Sequence, residues 1–195
     1  MAGIKYLAKK KEVNKVICDI FAQKGFHATS MRDIAEKLNL DKASLYYYIK
    51  SKEKALFTIL DEEMDEALST IENLISQGES PEERLSQILE YYTRRFVTDK
   101  HRLVLLINEF GALDDKHQQS LIEKQRKLLR MFASIIEELK ANGKLKNFPT
   151  MVVIFSFFGM AHYTVKWFNR GGSVTIEDLA MMFKEILTTG IFKVT

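Results

Sequence analysis

TSMRDIAEKLNLDKASLYYY, residues Thr29 to Tyr48, has the pattern of two short helices joined by a tight turn. Met31, Ile34, Ala35 and Leu38 fall at i, i+3, i+4 and i+7, one apolar face of a first helix. Ser30 stands ahead of them with Asp33 three residues on, a variant capping box that satisfies the free N–H groups at the helix start. Asn39 follows Leu38, and Asn tolerates the left-handed backbone of a helix end where Gly is absent. Asp41 then caps a second helix running to Tyr48, with Leu45 as its apolar anchor and small Ala35 where the two helices cross. This is the grammar of a helix-turn-helix.

The second helix turns Lys42, Ser44, Tyr47 and Tyr48 towards an outer surface, and Lys50, Lys52 and Lys54 follow directly. Phosphates take cations and hydroxyl or N–H donors, while base edges take hydroxyls, amides and aromatic or methyl contacts. The competing reading is a tyrosine-rich helix buried in a core, but three consecutive tyrosines cannot all face one core. Charge supports the nucleic-acid reading. The net charge of +3 divides into +6 over residues 1–54 (twelve Lys/Arg, six Asp/Glu) and −3 over the rest (seventeen and twenty). A basic head on a mildly acidic body suits a DNA-reading module fused to one that reads something else.

The run GFHATSMRDIAEKLNLDKASLYYYIKSKEKALF, Gly25 to Phe57, resembles the DNA-binding domain of TetR-family transcriptional regulators. The shared pattern is an aromatic after the first-helix Gly, T/S-x-x-x-I-A, and LYxYF-x-sKe-L. Asn39 replaces the family's usual Gly and Ile49 its usual Phe. The resemblance implies an all-α chain: a helix-turn-helix domain over 1–54 and a helical effector-binding and dimerisation domain over 55–195. It implies a homodimeric repressor on a palindromic operator, released by a small molecule. The candidate DNA contacts are Thr29, Ser30, Arg32, Lys42, Ala43, Ser44, Tyr46, Tyr47, Tyr48 and Lys52.

Working outward, Val13, Val16, Ile17, Ile20 and Phe21 predict a helix from about Lys9 to Lys24, closed by Gly25 with Phe26 tucked back. Lys9 to Lys11 either reach DNA from the flank or form a solvated tail. Ser51 caps a long fourth helix whose head belongs to the DNA-binding unit and whose tail belongs to the body, and Gln77-Gly78-Glu79 breaks it. Ser80-Pro81-Glu82-Glu83 gives an N-cap, proline at N1 and glutamate at N3. Helices follow to about Val97, over His101 to Phe110, from Asp115 to near Asn142, over Thr150 to Phe168, and after the Thr175/Asp178 cap, nine in all without a convincing strand.

Met151 to Val165, MVVIFSFFGMAHYTV, carries no charge and is apolar nearly all round. It falls short of the ~20 apolar residues that a bilayer needs. It is therefore covered by its own core on one side and by a partner on the other, or it is the central helix of a monomeric bundle. The resemblance favours the first, with the last two helices pairing with their counterparts in a homodimer and Ser156 and Gly159 permitting close approach.

The body's large side chains either fill a core or line a cavity. The candidates for an effector pocket are Tyr92, Phe96, Phe110, Phe132, Phe155, Phe158, Tyr163 and Trp167, with Tyr91 and Met131 nearby. Arg94, Arg95, Lys100, Arg102, Arg126, Lys127 and Arg130 are either a solvated face or cations at the pocket mouth. The second option, with the resemblance to TetR-like regulators of fatty-acid metabolism, suggests a fatty acyl-CoA.

One cysteine, Cys18, and no apolar leader at Met1 to Lys11 point to a reducing cytoplasm and no membrane partner. There is no phosphate loop, HExxH or nucleophile elbow. His27, His101, His117 and His162 are scattered without ligand spacing. No enzyme, metal or cofactor is expected. The remaining alternative is an architectural DNA-binding protein with the same head and no small-molecule switch.

Overall fold

The computed structural model describes residues 2–78 and 80–192, the side chains of residues 2–5 excepted. Glu79, part of the expected break after the fourth helix, lies outside the described residues. The fold is all-α. Its helices are α1 (Ala2–Lys24), α2 (Met31–Leu38), α3 (Lys42–Tyr48), α4 (Lys52–Gln77), α5 (Pro81–Thr98), α6 (Lys100–Asn108), α7 (Asp115–Ala141), α8 (Thr150–Trp167) and α9 (Ile176–Ile191). A single 3-10 turn, Phe110–Ala112, precedes α7. Among the described residues the only extended pairing is an isolated bridge between Leu145 and Phe192.

The helix boundaries follow local chemistry. Gly25 ends α1 at φ 87°, and its N–H donates to the Phe21 carbonyl at 2.9 Å. Ser80 and Thr175 accept from the N3 backbone N–H groups of α5 and α9. The Asp114 carboxylate accepts the His117 N–H ahead of α7. The largest boundary difference from the sequence reading is at α1, which begins at Ala2, not near Lys9; α6 also stops at Asn108, short of Phe110. Lysine and alanine propagate a helix well, and Lys9 pairs with Glu12 one turn on at 3.0 Å.

The chain divides into two compact units, neither of them continuous in sequence. The first comprises residues 1–65 and 101–122, the second 66–100 and 123–195, whereas the sequence suggests one division after residue 54. In the first unit Val13, Ile17 and Phe21 of α1, Ile34 and Ala35 of α2, and Leu45 of α3 share one core with Leu56, Ile59 and Leu60 of α4. Leu105, Leu113 and Leu121 complete it from the later segment. Polar ties accompany this core: the Asn14 amide donates to Glu62, and His101 Nδ1 lies 2.7 Å from Asp19. In the second unit α5 packs against α8 and α9.

Candidate nucleic-acid interface

The helix-turn-helix is built from its caps. The Ser30 hydroxyl and the Asp33 carboxylate satisfy each other's backbone N–H groups, a complete capping box at the start of α2. Lys24 lies 2.7 Å from the same carboxylate. That hydrogen bond, with those from Ser30, holds the Asp33 carboxyl well below the usual carboxylate range. Asn39 closes α2 in the left-handed region at φ 51°, its N–H shared between the Ala35 and Glu36 carbonyls. Asp41 caps α3 by accepting from the Ser44 N–H at 2.8 Å, which lowers its own pKa. The Ser44 hydroxyl donates to the same carboxylate.

These caps fix which way α3 faces. Leu45 and Ile49 are buried beneath it. Lys42, Ala43, Tyr46 and Tyr47 are exposed, Tyr47 at 66%, while Ser44 and Tyr48 are half-buried. Lys42 Nζ lies 6.0 Å above the Tyr46 ring. Lys50 and Lys54 are exposed just beyond.

The remaining candidate contacts are placed differently. Thr29 is 2% exposed, and its hydroxyl donates to the Gly25 carbonyl at 2.7 Å, tying the loop to the end of α1. Lys52 is turned back on the fold: its ammonium donates to the Phe26, His27 and Thr29 carbonyls at 3.1–3.4 Å and sits 4.5 Å above the Phe26 ring. Arg32 is exposed beside α2 and paired with Glu36. Tyr6, absent from the sequence candidates, lies against both Tyr47 and Tyr48. No apolar periodicity could have found it, because the α1 stripe begins at Val13 and Tyr6 meets residues some forty positions away.

The eight effector candidates do not form one site. Tyr92, Phe96, Phe132 and Phe158 cluster, with Tyr92 5.4 Å from both Phe132 and Phe158. Phe157 and His162 join them, His162 4.4 Å from Phe96, and burial lowers the His162 pKa. Phe155, Tyr163 and Trp167 instead point outward, 55%, 65% and 51% exposed, on the opposite face of α8. Phe110 packs into the core of the first unit. An apolar helix with no polar face gives no register by which to sort these residues from sequence.

The second unit also holds a half-open cleft of ≈ 270 Å³ lined by Phe96, Val97, Lys100, Thr164, Val165, Phe168, Asn169 and Arg170. Arg170 donates to the Val97 carbonyl at 2.6 Å. Of the seven cations suggested for a pocket mouth, Lys100 alone lines this cleft. Arg94 pairs with Glu177, Arg95 with Glu66 and Asp99, Arg102 with Glu63, and Lys127 with Glu72. Among the described residues no helix is long and apolar enough to cross a membrane.

A capped three-helix head with an outward-facing α3, joined to a helical body, defines the class of helix-turn-helix regulators. The comparisons narrow the class. Residues 15–57 match the model for bacterial regulatory proteins of the tetR family, and residues 78–191 match the tetracyclin repressor-like C-terminal domain. The chain belongs to the TetR family of transcriptional regulators. It is 25% identical over 189 residues to the transcriptional repressor KstR2 of Mycolicibacterium smegmatis, covering 94% of this chain and 91% of that one. The fold matches the ketosteroid transcriptional regulator KstR2 of Mycobacterium tuberculosis with a TM-score of 0.89 at 20% identity, over 95% and 96% of the two chains. It also matches AibR in complex with isovaleryl coenzyme A and operator DNA, with a TM-score of 0.82 at 23% identity, over 92% and 97%.

Proposed function

We propose that this regulator is a repressor which binds a palindromic operator as a homodimer and lets go when an amphiphilic acyl thioester occupies its body. The observation that carries the DNA reading is α3 itself: Lys42, Ala43, Tyr46 and Tyr47 face outward on a helix whose inner side is fully anchored. In this reading Lys42 and Ser44 meet base edges. Tyr46, Tyr47, Tyr48, Ser30 and Arg32 meet the backbone. Thr29 and Lys52 hold the loop that presents them, through the carbonyls of Gly25, Phe26, His27 and Thr29.

The partner for dimerisation is a second copy of α8 and α9. Met151, Val152, Phe155, Tyr163 and Trp167 form one exposed apolar stripe along α8, and Met181, Met182 and Ile186 another along α9. Ser156 and Gly159 lie exposed within the first stripe, with open space where a Gly159 Cβ would stand. A contiguous apolar face of this kind marks an association surface, and two-fold pairing doubles the base contacts available to one short helix.

For the effector, the cleft joins an apolar wall of Phe96, Val97, Val165 and Phe168 to the cations Lys100 and Arg170. Its size, just under the usual range for small-molecule pockets, suits a short acyl chain whose larger anionic remainder stays outside. AibR, similar in fold, is seen with isovaleryl coenzyme A. α4, α6 and α7 each have residues in both units, so in this reading they are the chain's links between effector and DNA.

The test is selection of a duplex from a random-sequence library by the full chain, followed by titration. Lys42→Ala and Ser44→Ala are expected to re-rank the preferred duplexes, and Tyr47→Ala to weaken all of them alike. Short acyl-CoA esters are expected to raise the melting temperature and release the duplex. Variants that bind and rank as the wild type would sink the α3 assignment. Duplex binding indifferent to acyl-CoA would favour the architectural reading, which the mutual packing of the Tyr92, Phe132, Phe157 and Phe158 rings also suits.

A further inference from the structure

We infer that Tyr6 is a positioning residue for α3, clamping the rings of Tyr47 and Tyr48 from the first turns of α1; the inference rests on the DNA reading proposed above. α3 has seven residues, too few to hold its own conformation without tertiary support. Leu45 and Ile49 supply that support from beneath, and half-buried Tyr48 packs against the same core. At the outer margin Tyr6 joins Tyr48 and exposed Tyr47, and three rings close a triangle. Tyr6 meets Tyr47 edge-on at 5.4 Å and 84°, and Tyr47 meets Tyr48 edge-on at 5.2 Å and 86°. Tyr6 stacks on Tyr48 at 5.7 Å and 15°. Edge-on and offset-stacked pairs are the arrangements that the ring quadrupole favours.

Without the clamp, a side chain as exposed as Tyr47 would sample several rotamers. With it, the phenol is held before DNA arrives, and the entropy of ordering it on binding is reduced. The reach comes from α1. Tyr6 continues the face of Val13, Ile17 and Phe21 two turns beyond the core, so it moves as one body with the helix that braces α2. Tyr6 needs no phosphate or base of its own to affect binding.

The experiment titrates the full chain with the duplex that the wild type selects from a random-sequence library. Tyr6→Ala is expected to lower affinity about threefold to tenfold. The slope of log affinity against log salt should not change, since no cation is removed. Tyr6→Phe should restore wild-type affinity. Tyr47→Ala should cost less in the Tyr6→Ala background than alone, because the two act as a unit. Tyr6→Leu keeps apolar cover at the end of α1 and should match Tyr6→Ala in affinity while melting as the wild type does. The inference is overturned if Tyr6→Ala binds as the wild type, if Tyr6→Leu restores binding, if Tyr6→Phe is as damaging as Tyr6→Ala, or if the Tyr6 and Tyr47 effects simply multiply. A wild type that enriches no duplex overturns the DNA reading and this inference together. Sensitivity to Lys42→Ala with none to Tyr6→Ala overturns this one alone.

Discussion

Lys52 shows how a fold can place a single side chain where its sequence position gives no hint. As a cation just after the tyrosine run it reads as a phosphate ligand. In the fold its ammonium gathers three carbonyls of the α1–α2 loop and covers the Phe26 ring. The Phe26 carbonyl also accepts the Thr29 N–H at 3.2 Å, so the half-buried ammonium contributes modestly. Lys52→Ala is expected to cost about 1 kcal/mol of stability, measured by urea unfolding. It should weaken DNA binding with little change in salt slope, where loss of a phosphate ligand would reduce the slope by about one. The caps, by contrast, were legible from local spacing alone: Ser30 with Asp33, Asn39, Asp41 and Gly25 each act on their own chain neighbours. Lys52 was not, because its partners lie more than twenty residues away and its long stem lets it point either way.

Among the elements, α8 carries the most information that sequence could not resolve. Its length and apolar character were plain from Met151 to Val165. Which side faced the core was not, since a helix apolar all round has no favoured direction. The structure buries Val153, Ile154, Phe157, Phe158, Ala161 and Thr164, and exposes the opposite stripe. Three supposed pocket residues, Phe155, Tyr163 and Trp167, thereby become surface residues. In the proposed dimer this face is the central contact. Phe155→Glu with Ile186→Lys should leave the protomer folded, because both side chains are exposed in it. The pair of changes should raise the dimer dissociation constant by roughly two orders of magnitude or more, read by light scattering across a dilution series. A double variant that remains dimeric at the wild-type concentration would place the interface elsewhere.

At the scale of the whole molecule, the division into units cuts across the chain. The first unit takes its core from residues 1–65 and from 101–122, with Leu105, Leu113 and Leu121 beside Ile17, Leu45 and Leu60. Basic composition marks the head over residues 1–54, but composition cannot reveal that a later segment completes its core. A fragment ending at residue 65 lacks that second source of apolar cover. It is expected to retain helix by circular dichroism but to melt without a sharp transition, while adding residues 101–122 through a flexible linker should restore cooperativity. The same arrangement bears on how such regulators diversify. A gene conversion or engineered chimera that swaps only the opening third of the coding sequence would bring a new DNA specificity onto a foreign inner wall. If the head chooses the promoter as proposed, the module for that choice is two separated stretches of one gene, and recombinants should survive best when both pieces travel from the same parent.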